Sequence, residues 1–79
     1  MKIPRGLSGS DLIRSLKMLG YDQTRQSGSH IRLTTTLNGT HHITVPYHDP
    51  LKIGTLSAIL SDIAAHFKIS KEELINKLF

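Results

Sequence analysis

Ser27 to Tyr47 runs SGSHIRLTTTLNGTHHITVPY, and the way its two halves pair decides the fold. Ile31 and Leu33 alternate with Arg32 and Thr34, and Ile43 and Val45 alternate with His42 and Thr44. This period of two marks strands with one apolar face. Leu37-Asn38-Gly39 separates the strands, and Pro46 stops the second ladder. Two registers compete. A two-residue Asn38-Gly39 turn pairs Leu37 with Thr40 and splits the apolar residues between both faces. A three-residue loop with Gly39 left-handed pairs Thr36 with Thr40, Leu33 with Ile43 and Ile31 with Val45. One face is then uniformly apolar, so this second register is expected. It puts His30, Arg32 and Thr34 on the opposite, solvent-open face with His42, Thr44 and Pro46. It also pairs Ser29 with Tyr47, drawing the loop Tyr47-His48-Asp49-Pro50 toward His30.

Outward from this hairpin the pattern turns helical. Ser8 and Asp11 have capping-box spacing, so a first helix should open near Ser8, Gly9 or Ser10. Leu12, Ile13, Leu16 and Leu19 form its apolar stripe, and Gly20 suits a left-handed stop. Tyr21 to Gln26 makes a weak strand ahead of a Ser27-Gly28 break. Leu56, Ile59, Leu60, Ile63 and Phe67 lie on one stripe of a second helix. Ser70 and Glu73 signal the start of a short last helix carrying Leu74, Ile75 and Leu78. The expected fold class is α+β, in the order α-β-β-β-α. It has a three-stranded antiparallel sheet, helices on its apolar face and a short extra C-terminal helix.

The chain of 79 residues has room for a single domain, residues 1–79, and one modest core. Such a chain buries only about 60% of its unfolded surface, so a site should be shallow. It has no cysteine, which excludes disulfide staples, thiolate metal sites and cysteine nucleophiles. No apolar run reaches the roughly 20 residues of a membrane span. The opening Met1-Lys2-Ile3-Pro4-Arg5-Gly6 turns polar too soon for a secretory signal, and a cytoplasmic protein is expected.

Charge is unevenly spread. Residues 1–48 hold Lys2, Arg5, Arg14, Lys17, Arg25 and Arg32 against only Asp11 and Asp22, while residues 49–79 balance four basic against four acidic residues. The whole formal excess of +4 therefore sits in the first part, beside most of the histidines. A localised positive surface gathers polyanions. A solvated face with a mild basic bias is the plainer reading of the same numbers.

Several chemistries find no support. His30, His42, His48 and Asp49 are conceivable metal ligands, but no helical His-x-x-x-His spacing or carboxylate pair organises them, and no metal site is expected. Phosphate-loop and dinucleotide fingerprints are absent, and Gly6-Leu7-Ser8-Gly9 lacks the spacing of a nucleophile elbow, so no cofactor is expected. Of four aromatic residues, Tyr21, Phe67 and Phe79 fit structural roles, which argues against a sheet that binds single strands by stacking. His41 and His42 are adjacent and must point to opposite faces. His66 fits a partly covered surface histidine.

His30 is the sharpest remaining candidate. An imidazole exchanges protons near neutral pH. RNA carries its own nucleophile in the 2′-hydroxyl, so a positioned base and a cation beside the phosphate suffice to cleave it without metal. Arg32 would be that cation. Gly28 permits close backbone approach, and Ser29 can hydrogen-bond phosphate. An exposed strand histidine without a role is the competing reading.

Gly28-Ser29-His30, Pro46-Tyr47-His48, Gly54-Thr55-Leu56 and Ile59-Leu60, in this order and spacing, resemble the HicA toxins of bacterial and archaeal toxin–antitoxin systems. The resemblance runs from Ser8-Gly9 through the last helix, and Arg25 also fits its pattern. It implies a double-stranded-RNA-binding-domain-like fold and a ribonuclease that cuts mRNA, arresting translation and growth. It makes His30 the catalytic residue and implies a HicB-like antitoxin covering the His30 face. Gly28, Ser29, Arg32, Arg25, Lys2 and Arg5 are then the expected RNA contacts, with His42 and His48 as helpers. Two features depart from the pattern. Ile31-Arg32-Leu33 stands where many members carry an aromatic or second histidine, and the last helix is longer than in the shortest members. A non-catalytic double-stranded-RNA-binding module and a protein-docking sheet remain the alternative readings.

Overall fold

In the computed structural model, which describes residues 3–79, the second hairpin register is the observed one. Leu33 faces Ile43, Ile31 faces Val45 and His30 faces Pro46. The order of elements is α1 (Gly9–Leu16), β1 (Asp22–Ser27), β2 (His30–Thr35), β3 (His41–Pro46), α2 (Ile53–Phe67) and α3 (Lys71–Leu78). The strands form one antiparallel sheet in the order β1-β2-β3, with β2 central. This is the α+β arrangement expected. The loop between β2 and β3 differs in one detail: Asn38 as well as Gly39 takes a positive φ, +57° and +96°. Asn38 tolerates this conformation better than most residues, and its side-chain amide donates to the His66 carbonyl at 2.9 Å.

Helix α1 opens with the complete capping box. The Ser8 hydroxyl accepts from the Asp11 amide at 3.0 Å, and the Asp11 carboxylate accepts from the Ser8 amide at 3.2 Å. The hydrogen bond from the Ser8 amide to the carboxylate, and after it the Ser8 hydroxyl beside the same carboxylate, lower the Asp11 pKa. Leu12 and Leu16 are fully buried, whereas Ile13 and Leu19 pack only at the margin of the core. A single 3-10 turn, Lys17–Leu19, and a left-handed Gly20 then end the helical segment.

Gly20 corrects the expected start of the first strand. The turn drives Tyr21 into the core, fully buried, and the ladder starts one residue later at Asp22. All six β1 side chains are exposed, so packing supplies no apolar alternation for sequence to reveal. A bulge at Thr24, between Gln23 and Arg25, interrupts its pairing with β2. Such an irregular, charged edge resists pairing with other chains.

The core joins Leu12 and Leu16 of α1, Ile31 and Leu33 of β2, and Ile43 and Val45 of β3 to the α2 stripe and α3. Leu56, Ile59, Leu60 and Ile63 are buried as the stripe requires, and Phe67 packs at its rim. The Ser70 hydroxyl caps α3 by accepting from the Glu73 amide at 3.0 Å. Leu74, Ile75 and Leu78 close the core from that side.

Thr35 is the buried polar residue among the described positions. Its hydroxyl donates to the Leu19 carbonyl at 2.7 Å and accepts from the Leu37 amide at 3.1 Å, fastening the end of β2 to the turn before Tyr21. Burial, and then the Asp62 charge, push the Tyr21 phenol from 10.0 up to about 12. A folded value above the unfolded one holds the proton more tightly in the native state. The Tyr21 contribution to stability is therefore complete below pH 10 and is lost as pH rises from 10 through about 12. Urea unfolding followed across that alkaline range should show stability falling in the wild type and a shallower fall in Tyr21→Phe. Parallel curves would rule out Tyr21 as the source.

Candidate functional site

His30 opens the central strand. It faces Ser27 on β1 and Pro46 on β3, so it stands at one end of the sheet. The turn before it is Gly28-Ser29, with Gly28 at φ +58° in the position where a type II′ turn takes glycine. A Cβ built on Gly28 meets nothing within 4 Å, so the backbone conformation, and not crowding, calls for glycine there. Gly28, Ser29 and His30 are all exposed.

Two residues along β2, on the same face, stands Arg32. Its direct partner across β1 is Arg25. Like charges placed opposite each other on a sheet repel, yet neither guanidinium is within ion-pair distance of a carboxylate among the described residues. Arg25 and Arg32 line a shallow concavity with Thr24, Thr34 and His42. A polar ladder crosses its floor: Thr24 Oγ1 lies 3.0 Å from Thr34 Oγ1, which lies 2.8 Å from His42 Nδ1. The ladder holds the ring of exposed His42 by its Nδ1. His42 thus belongs with the arginines. It pairs with Thr34, about 13 Å along the strand from His30 by strand rise.

His48 sits in a loop whose backbone is fixed from two sides. The Tyr47 amide donates to the Ser29 carbonyl at 2.6 Å, extending the hairpin beyond Pro46 as the register predicts. The Gly9 amide donates to the His48 carbonyl at 2.8 Å, and the Leu51 amide to Leu7 at 2.8 Å. The loop is therefore clamped between the start of α1 and the Gly28-Ser29 turn. Glycine at position 9 is what allows this approach: an added Cβ would sit 2.4 Å from the Pro46 carbonyl oxygen and 3.2 Å from Tyr47 Cα. Nothing in the sequence flagged Gly9 as more than a helix-start residue, because its neighbour is remote in the chain. Exposed His48 lines a small depression with Ser8, Ser10, Tyr47 and Asp49.

Other expected contacts lie apart. Arg5 lines a groove with Ile3, Pro4, Ile53, Glu72 and Phe79, a set that shares no residue with the arginine concavity. Lys2 lies outside the described residues. Arg14 is already paired with Asp11 on α1.

The opposite end of the sheet holds an arrangement the sequence did not disclose. His41 points away from His42, as alternation demands, and its Nδ1 lies 2.7 Å from the Tyr21 hydroxyl. Its Nε2 lies 3.2 Å from Asp62. With a neutral imidazole the chain closes: Tyr21 donates to Nδ1, and Nε2–H donates to the carboxylate. The His66 ring stacks on His41 at 4.4 Å and donates from Nε2 to the Leu37 carbonyl at 2.9 Å. These two histidines therefore join α2 to the hairpin. No three His, Asp or Glu side chains converge as a metal-binding group among the described residues.

Fold and site together define a small α+β domain with an electropositive open sheet face and an exposed histidine at a hairpin mouth. A profile described as the HicA toxin of bacterial toxin–antitoxin systems matches residues 9–64, most of the 79-residue chain. The chain belongs to the HicA toxin family. Membership makes it the toxin component of a toxin–antitoxin system, with a cognate antitoxin as partner. Searches of curated proteins and of solved structures each returned no match. No described helix is long and apolar enough to cross a membrane.

The clamp at Gly9 is testable by one methyl group. Alanine ordinarily favours a helix over glycine, but here the added methyl meets fixed backbone. Gly9→Ala should destabilise the domain by about 1–3 kcal/mol, the usual cost of overpacking. Amide shifts in an NMR spectrum should move at Ser29, Tyr47 and His48. A variant as stable as wild type, with those resonances in place, would show that the loop yields freely.

Proposed function

We propose that this toxin is a metal-independent endoribonuclease that cleaves mRNA, with His30 as its general acid–base residue. The observation that carries the reading is the Arg25–Arg32 pair. Two cations held opposite each other without a carboxylate destabilise the free sheet, and a polyanion that settles between them removes that repulsion. Beside them the exposed His30 supplies an imidazole, a side chain able to take or give a proton.

The chemistry needs few parts. Neutral His30 takes the proton of a ribose 2′-hydroxyl as that oxygen attacks the adjacent phosphorus. The bond to the 5′ oxygen of the next nucleotide breaks, and that oxygen leaves with a proton from solvent. The products are a 2′,3′-cyclic phosphate and a 5′-hydroxyl. Arg32 lies about 6.6 Å along β2 from His30 by strand rise, in reach of a neighbouring phosphate oxygen. Arg25 adds a second phosphate contact, and Gly28 and Ser29 offer backbone and hydroxyl donors at the turn. His42 and His48 serve as helpers, His42 within the arginine concavity and His48 from the clamped loop. Lys2 and Arg5 contribute to the field that draws RNA inward.

The substrate in the cell would be mRNA, and its cleavage in the cytoplasm would arrest translation. A HicB-like antitoxin that covers the His30 face would silence the toxin by occupying the same open surface that RNA needs.

Removing a general base costs about 10²–10⁴ in rate. His30→Ala should therefore lose RNA cleavage and growth arrest while unfolding at the wild-type urea concentration. A purified variant that still cuts RNA at the wild-type rate would overturn the assignment of His30. Binding of RNA that is recovered whole from both proteins would favour a non-catalytic RNA-binding module. Cleavage should also persist in excess EDTA; its loss there, restored by added divalent metal, would overturn the metal-independent mechanism.

A further inference from the structure

We propose that Ser27 is a phosphate-contacting residue of the cleavage site, its hydroxyl donating to a non-bridging oxygen of the phosphate that His30 serves. The inference rests on the reading of the domain as a ribonuclease and adds to it a donor on the strand beside His30.

The sheet register places this residue. Ser27 ends β1 and is the direct partner of His30 on β2, so both side chains stand on the same, open face. Residues directly opposite on a sheet hold their Cβ atoms about 4.5–5.5 Å apart. That spacing lets a hydroxyl and an imidazole reach one phosphate group together. Both residues are exposed. On its other flank His30 faces Pro46, whose side chain has no donor. Arg32 lies two residues further along β2, where it faces Arg25 and Thr44. Ser27 is thus the polar side chain directly across from His30. The sequence marks it only as part of the Ser27-Gly28 break, and pairing makes it a strand residue.

The turn that joins the two residues is braced. Gly28 supplies the positive φ, +58°, that the turn requires. The Gln26 side-chain amide donates to the Gly28 carbonyl at 3.2 Å, and the Tyr47 amide donates to the Ser29 carbonyl at 2.6 Å. Gln26 pairs with Ile31, so it stands on the face opposite to Ser27 and His30. The open face at this end of the hairpin is left to those two side chains. A donor set in place before the substrate arrives needs no reorganisation as charge develops.

The reaction calls for such a group. As the 2′-oxygen attacks, negative charge grows on the non-bridging oxygens of the phosphate, and a hydroxyl can donate to one of them. It does so without adding charge beside the imidazole. A carboxylate in the same place would repel the phosphate, and an ammonium would disfavour the imidazolium that forms when His30 takes its proton.

The test follows cleavage of a short RNA with one mapped cleavage position by the full chain. Ser27→Ala should lower kcat about 2- to 12-fold, the worth of one net hydrogen bond, with KM little changed. Ser27→Thr keeps the hydroxyl and should retain activity, whereas Ser27→Val, of the same shape, should match Ser27→Ala. The decisive readout is a pair of RNAs in which sulfur replaces one or the other non-bridging oxygen at the cleaved phosphate. Sulfur accepts hydrogen bonds poorly. On one of the two RNAs Ser27→Ala should therefore cause no further loss, and on the other the full loss should remain. An equal loss on both would overturn the proposal, because a structural or ring-orienting role predicts it. Wild-type kcat in Ser27→Ala would overturn it too, while loss of cleavage in His30→Ala would leave the ribonuclease reading standing. If the wild-type protein cuts no RNA, that reading itself fails and the role of Ser27 falls with it.

Discussion

The register of β2 against β3 is the constraint on which the rest of the molecule hangs. Leu33 opposite Ile43, and Ile31 opposite Val45, form the apolar floor onto which the helices pack. A slip of one residue would turn one strand over relative to the other, splitting the apolar residues between both faces. The same pairing therefore fixes the solvent face, where His30, Arg32, Thr34, His42 and Thr44 all lie. Packing energy holds the functional face in place without touching it. The register also extends beyond the ladder, through the Ser29–Tyr47 hydrogen bond, so the loop carrying His48 is positioned by the same choice.

The five histidines separate cleanly once the sheet is in place. His30 and His42 share the open face, and His48 lies in the clamped loop beside the start of α1. His41 and His66 belong to the far end, where Tyr21, His41 and Asp62 form one hydrogen-bonded chain and His66 stacks on it. That cluster ties α2 to the Leu37-Asn38-Gly39 loop, and so holds the hairpin at the end opposite the turn before His30. The two ends of one sheet have divided the labour. Polar groups at one end are paired with each other, and at the other end they face solvent.

Legibility in the sequence followed the range of the interaction. Short-range physics was readable: alternation gave β2 and β3, the Ser8–Asp11 and Ser70–Glu73 spacings gave two helix starts, and the three-residue loop gave the register. It was weak for β1, because an edge strand with no buried side chain carries no period to find. Tyr21 was legible as structural, but not that it leaves the strand for the core, since only the left-handed Gly20 turns it inward. Contacts between distant segments left no local mark. The Gly9 approach to Pro46, the Tyr21–His41–Asp62 chain and the Thr24–Thr34–His42 ladder all join residues from separate elements. The open face was legible as a set of residue types, but not the opposition of Arg25 and Arg32. A bulge at Thr24 sets that opposition, and sequence does not place bulges.

That opposition bears on why the face is built as it is. A sheet selected for stability alone would put an acidic or neutral residue across from Arg32, and Gln23 and Gln26 show that β1 accommodates neutral side chains at adjacent positions. The repulsion between the two arginines is small in water, because exposed charges are well screened. The fold tolerates it easily, while a bound polyanion excludes water and counterions and feels both charges at full strength. A like-charged pair on the open face, Arg25 exposed and Arg32 half-buried, is therefore cheap in the free toxin and would be strong against a bound polyanion. Under the proposed function it also gives the antitoxin a handle: acidic side chains laid over the same two arginines would gain what RNA gains. Under the proposed function, one surface then serves both partners by the same chemistry.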